Sequence, residues 1–344
     1  MNTMRKLQAI AACAGAFGAF ATTSAATFCV SNPGQFAAAL SAAQTDNDND
    51  IVYVVAGTYN LSAGLEFDST QAYALTLVGG VDATCSTLTG TLSILNGQNL
   101  YRALSVSNSN GAVAISRMGF ENGSVNDLNG GAGLYAYSSN GNILIGLSRF
   151  ANNAGSLGGG LSVGTEHGQI SFANNLVVGN TAFDFGAGTL YQGAGEAYVI
   201  GNTVADNGNQ AGQNTGGLAI SGNAHFTLAN NILWGNTNDG GYDLYAGAAH
   251  SRLNNDLGIV GGTMTIPDAA SGNVSVDPRF VDCGVGCGNY ELDSTSLLID
   301  AGNDAPGYGV GTLDLAFRPR IVGAHIDIGA FENADLIFRD GFGP

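Results

Sequence analysis

Lysine is almost missing from this sequence: it occurs once, at Lys6, and the ten basic residues in all stand against 27 acidic ones. The resulting net charge of −17 speaks against nucleic acid or anionic membrane as partners, because both require a basic footprint. Acidic polysaccharides are repelled as well, unless calcium bridges the two. Charged residues are scarce, 11% of the chain against 45% hydrophobic, and that balance excludes a disordered protein. Helical periodicity is also missing: beyond residue 45 no segment carries the 3.6-residue spacing of a long amphipathic helix. The carboxy-terminal stretch Leu336 to Pro344 is too short to span a membrane.

What the chain has is repetition. Apolar segments close on Asn122, Asn152, Asn180, Asn207 and Asn236, at spacings of 30, 28, 27 and 29 residues. Leu134, Leu161, Leu190 and Leu218 each follow a run of small residues, at spacings of 27, 29 and 28. Two markers on one period describe a solenoid, whose units bury their apolar faces only by stacking. Within a unit the apolar residues alternate, as in Leu161 and Val163 or Ile170 and Phe172, which is the period of a half-buried strand. Glycine, with 53 residues, and asparagine supply the turns between strands.

Three short strands per turn, in coils of about 27–30 residues, predict an all-β chain folded as a right-handed parallel β-helix with an amino-terminal capping helix. Gly131-Ala132-Gly133-Leu134 and Phe150-Ala151-Asn152-Asn153 resemble the repeats of pectate-lyase-like and polymorphic outer-membrane β-helix proteins. A series beyond residue 270 resembles the module called choice-of-anchor Q: Val276-Asp277-Pro278-Arg279-Phe280, Ile299-Asp300-Ala301-Gly302, and Asp327-Ile328-Gly329-Ala330-Phe331-Glu332. That resemblance implies placement at a cell surface rather than catalysis.

Residues 1–26 read as a secretory signal, with Arg5 and Lys6 at its start, an apolar stretch to Phe20, and Ser24-Ala25-Ala26 at the cleavage site. A lipid-attachment reading at Cys13 is the alternative. Either way the protein is expected outside the cytoplasm, secreted or at the cell surface. Without Arg5 and Lys6 the mature chain holds 8 basic against 27 acidic residues, a net −19, which keeps an exported solenoid soluble. The remaining order is an amino-terminal cap at 27–60, the helix at 61–270, a carboxy-terminal cap at 271–333 and a tail at 334–344, expected as a monomer with no transmembrane segment after cleavage. Cys29, Cys85, Cys283 and Cys287 allow three disulfide pairings, of which Cys29 with Cys85 and Cys283 with Cys287 is favoured.

Taking the repeats in register, the outward positions of one strand column carry Gln169, Glu196 and His225, with Ser171, Tyr198 and Thr227 two residues on. Aligning Leu253 with Leu228 adds His250 beneath His225 and Arg252 beneath Thr227. Glu196, Tyr198, His225, His250 and Arg252 are therefore the candidates for acid–base work, and Gln169, Glu196, Tyr198 and His225 for sugar binding. An ordinary solvent-facing sheet would show the same polar types. Asp46 to Asp50, Asp239 and Asp243 make calcium a possible ligand; no other cofactor is indicated. Lyase-type catalysis wants Arg or Lys beside calcium, and hydrolase-type signatures such as Asn-Thr-Asp and Gly-His-Gly are missing. Three readings follow: an adhesive or structural surface protein, a polysaccharide-binding module, or a polysaccharide lyase or glycosidase acting through the Glu196/His225 face.

Overall fold

The computed structural model describes residues 25–209, 215–236, 241–281 and 288–333. The first 24 residues, Asp239, Cys283, Cys287 and the stretch from 334 lie outside these. The described chain is a parallel β-solenoid. Each coil lays one strand in each of three sheets, and the successive coils pair in parallel. Sheet 1 has ten strands, from Ala26–Val30 to Ala269–Ser271; sheet 2 has eight, from Gly57–Asn60 to Asp256–Leu257; sheet 3 has eight, from Leu65–Ser69 to Val260–Gly261. A short three-stranded sheet 4 bridges sheets 2 and 3 in the middle coils.

The alternation read from the sequence sets which side is buried. Ile143, Ile145, Ile170, Phe172, Val199, Phe226 and Leu228 point inward from sheet 1, and Leu134, Leu161, Val163, Leu218 and Ile220 from sheet 3. Phe120, Phe150 and Phe172 form an interior column, with ring centroids 5.0 and 6.1 Å apart. The marker leucines need one correction. Leu161 pairs with Gly188, not Leu190, and Leu190 pairs with Val163 and Ile220. A Cβ on Gly188 would lie 2.6 Å from the Leu161 side chain, so the glycine makes room for its neighbour.

Two asparagine ladders hold the corners flanking sheet 2. The first starts at Asn175, and Asn202, Asn231, Asn255 and Asn273 each take a hydrogen bond from the amide and side chain of the asparagine one coil before. The second starts at Asn153, and Asn180, Asn207 and Asn236 do the same. Asn153 rather than Asn152 is the rung, because Asn152 adopts the left-handed conformation that turns the corner (φ 57°). Asp243 ends this ladder: its carboxylate accepts from the Asn236 amide at 2.7 Å and from Ile259 N–H at 2.7 Å. It is buried and faces no outer surface, which removes it from the candidate calcium ligands.

Helix α1, Pro33–Ala43, closes the first coil. Asn32 caps it by accepting from Gln35 N–H, Pro33 stands where no donor is needed, and Phe36 and Leu40 are fully buried against the first strands. Cys29 and Cys85 are bonded to each other, one of the three pairings open from the sequence.

The carboxy-terminal segment behaves differently from an end cap. Residues 288–333 run back along the outside of sheet 2 and the corner it shares with sheet 1. Tyr290, Leu315 and Ala330 pack on outward-facing Leu147, Leu176, Val178 and Ala205, and Val310 and Ile326 pack on Ile200 and Ala229. Corner asparagines in left-handed conformation reach out to it: Asn174 donates to Val310 O, Asn230 to Asn303 O and Asn254 to Ala301 O. Its own centre is a buried ion pair, Arg320 with Glu332, and Arg320 also bonds Asn174 at 3.1 Å. Burial pushes the Glu332 carboxyl up while the guanidinium pulls it back down.

Candidate functional site

The outward side of sheet 1 brings together part of the expected group. Glu196 and His225 are register partners on adjacent strands, and Glu196 Oε2 lies 3.1 Å from His225 Nδ1. The other ring nitrogen, Nε2, lies 3.1 Å from Ser251 Oγ and 3.5 Å from Asp268 Oδ2. Glu196 and Asp268 are more than half exposed, and His225 is less so at 29%. Gln169 continues the column one coil earlier, where its backbone N–H bonds Asn142. Tyr198 is not free: its ring stacks on Tyr308 of the carboxy-terminal segment, centroids 4.3 Å apart, and burial raises its hydroxyl pKa, with Glu196 adding to the rise.

His250 and Arg252 do not join this face. The strand His250–Leu253 pairs Phe226 with His250, Thr227 with Ser251 and Leu228 with Arg252, one position away from the alignment on leucines. The ladder sets that register, since Asn231 is followed by Asn255 after 24 residues, a shorter coil than those before. His250 is consequently fully buried in an inward position, its Nδ1 3.0 Å from Ala248 O and its Nε2 accepting from Arg252 Nε at 2.9 Å. Burial lowers its pKa, which keeps it neutral. Together with Arg252, which also bonds Thr265 O, it ends the apolar column at the last coil. Ser251 takes the outward place expected for Arg252.

A second outward face was not anticipated. On sheet 3 the alternation that buries Leu134, Ala136, Leu161 and Val163 turns Tyr135, Tyr137, Ser162, Gly164, Thr189 and Tyr191 outward. Tyr137 and Tyr191 flank Gly164 from the coils on either side; a Cβ on Gly164 would lie 3.3 Å from the first ring and 3.6 Å from the second. Both hydroxyls converge on one carboxylate, Tyr137 to Glu166 Oε1 at 3.2 Å and Tyr191 to Glu166 Oε2 at 3.0 Å. Donation to Glu166 raises the Tyr191 pKa, so the phenol stays protonated. Further along the same sheet Tyr245 lies beside Phe185 and Tyr242, with centroids 5.4 and 6.5 Å away. The signal was present in the sequence as tyrosines alternating with the marker leucines, at 135, 137 and 191.

The arginines are engaged elsewhere: Arg102 with Asp127 at 2.7 Å, Arg149 with Glu121, and Arg117 over the Phe317 ring at 3.6 Å. Of the Asp46–Asp50 turn, Asp50 is buried and its pKa is pushed up to about 7, first by burial and then by Asp46. Among the described residues no three His, Cys, Asp or Glu side chains are grouped to hold a metal ion, and no helix is long and apolar enough to cross a membrane. His167 is exposed in a turn and Asp184 ends the sheet 4 strand Thr181–Asp184.

The chain is thus a parallel β-solenoid protein with two polar outer faces. No family model matches it, and no curated protein matches it in sequence. Among solved structures it is similar to a crystal structure of pectate lyase Pel9A, with a TM-score of 0.41 and 13% identity, over 90% of this chain and 97% of that one.

Proposed function

We propose that this is an exported protein, secreted or held at the cell surface, that binds polysaccharide along the outer face of sheet 3 and serves in adhesion or surface structure. One observation carries the reading: Tyr137 and Tyr191, two coils apart, flank Gly164 with their hydroxyls on Glu166. Rings so fixed lose little freedom on binding and present apolar faces to the C–H faces of sugars, while Glu166, Ser162 and Thr189 offer polar partners for hydroxyls. The strongly acidic chain makes a neutral polysaccharide the better fit, and an acidic one a ligand only through calcium. The signal-like leader and the choice-of-anchor resemblance support export, and cell fractionation checks it. We read the chain as a monomer.

The test is binding to immobilised neutral and acidic polysaccharides, with and without calcium. Tyr137→Ala with Tyr191→Ala is expected to weaken binding of a neutral polymer about tenfold, each ring being worth about 0.5–1.5 kcal/mol. Retention of no polymer by the unaltered protein, in any condition, would sink the proposal.

A further inference from the structure

We infer that Ser251, His225 and Glu196 form a nucleophilic triad on the outer face of sheet 1, giving the protein a carboxylic-ester hydrolase activity toward short acyl groups. This goes beyond polysaccharide binding, lies on a different sheet, and is tested without any polysaccharide.

The geometry is that of a nucleophile, a base and an orienting acid in one line. Ser251 Oγ is 3.1 Å from His225 Nε2, and His225 Nδ1 is 3.1 Å from Glu196 Oε2. An ionised carboxylate only accepts, so Glu196 fixes the proton on Nδ1 and leaves the Nε2 lone pair facing the serine hydroxyl. The three residues come from three successive strands of sheet 1, Glu196–Ile200, His225–Ala229 and His250–Leu253, so the spacing is set by backbone pairing rather than by loops. Buried neighbours Ala197, Phe226 and His250 hold each strand in place from inside. Asp268 Oδ2, 3.5 Å from Nε2, is the other charged group at the ring; it stabilises the imidazolium once the serine proton has moved.

Ser251 Oγ attacks the acyl carbonyl carbon while its proton passes to His225 Nε2. The carbon–oxygen bond to the alcohol then breaks, and the departing oxygen takes the proton from Nε2. A water next attacks the acyl-serine, giving its proton to Nε2, and the Ser251 oxygen recovers that proton as the carboxylic acid leaves. Negative charge on the tetrahedral oxygen needs a donor. Thr227 is the register partner of Ser251, and its outward hydroxyl lies about one strand spacing, ~4.8 Å, away. On the other side the partner is Ala269, exposed and small, which leaves the serine open to solvent. A single hydroxyl donor on an open face suits an activated or simple ester better than an amide.

The experiment is hydrolysis of p-nitrophenyl acetate by the purified protein, with Ser251→Ala and His225→Ala beside it. Each change is expected to lower turnover at least about 100-fold. Glu196 is a positioning residue: Glu196→Gln is expected to lower kcat about tenfold or more with KM unchanged, a split that a merely structural role would not give. Melting curves of the variants show that they fold. A second measurement needs no variant: a fluorophosphonate, whose phosphorus Ser251 Oγ attacks with loss of fluoride, should add one phosphonyl group at Ser251 by mass spectrometry. Turnover equal to that of Ser251→Ala, or phosphonylation absent or at another residue, would overturn the inference.

Discussion

Sheets 1 and 3 share one backbone plan and one apolar interior, and they differ in what faces out. Sheet 3 shows rings and small residues, with Tyr137, Gly164 and Tyr191 stacked across three coils. Sheet 1 shows titratable groups, Glu196 and His225, and beside them the carboxy-terminal segment covers Tyr198 with Tyr308. In a solenoid the inward positions are all consumed by packing, so chemistry is confined to the outward half of each strand and to whatever the chain leaves uncovered.

The largest expected effect separates the two sheets by detaching the cover from one of them. Arg320→Ala leaves Glu332 buried without its partner and removes the bond to Asn174, at a cost of about 3–5 kcal/mol to the docked segment. Proteolysis of residues 288–333 should become rapid and Tyr198 accessible, while Tyr137 and Tyr191 keep their environment. Fluorescence and peptide mapping check this; unchanged protection of the segment would show that apolar contacts alone hold it.

Next comes the corner between sheets 1 and 2. Asn202→Ala removes the acceptor of the Asn175 amide and the donor to Phe172 O inside a buried ladder, and should cost about 2–3 kcal/mol in denaturant unfolding. The loss should fall on the whole solenoid, both faces together. On sheet 3 alone, Gly164→Val places a Cβ against both tyrosine rings and should lower polysaccharide affinity several-fold by forcing them apart, with the melting temperature little changed. Ester turnover on sheet 1 should not follow it.

A further effect is in pH. Asp256, buried at the last rung of sheet 2, has its pKa pushed up to about 7 by burial, and Val276 N–H is its one hydrogen-bond donor. Because the folded state holds a proton that the unfolded state releases near 3.8, its contribution is full below that value and is lost as pH rises towards 7. His250, whose pKa is lowered from 6.5, works in the opposite sense as the solution is acidified. The difference between the unaltered protein and Asp256→Asn isolates the carboxylate: the variant's melting temperature should gain on the unaltered protein from pH 4 to pH 8, over the window that runs from 3.8 to about 7. Parallel curves would refute the assignment.

The sequence supplied the period, the strand alternation, the three-sheet solenoid and the pairing of Glu196 with His225. It misplaced features wherever two adjacent residues could fill one role. Asn152 and Asn153 are chemically equal, and only the φ of 57° at the first shows which turns the corner and which joins the ladder. Leu190 kept the beat of the leucines, yet Gly188 is the partner of Leu161. His250 and Arg252 were assigned outward by matching leucine to leucine, while the shorter coil and Asn255 turn them inward; reading the ladder instead would have found Ser251.

What the sequence determined by itself is therefore local and periodic: side chains alternate because strands do, and asparagines recur because each coil has the same corners to satisfy. Tertiary structure alone decided the return of residues 288–333 along the flank and the convergence of Tyr137 and Tyr191 on Glu166. Those outcomes depend on contacts between residues 25 to 146 positions apart, from the Tyr191–Glu166 bond to the Asn174–Arg320 bond. Packing chooses among such contacts once the coils are stacked, and no local preference of the chain encodes the choice.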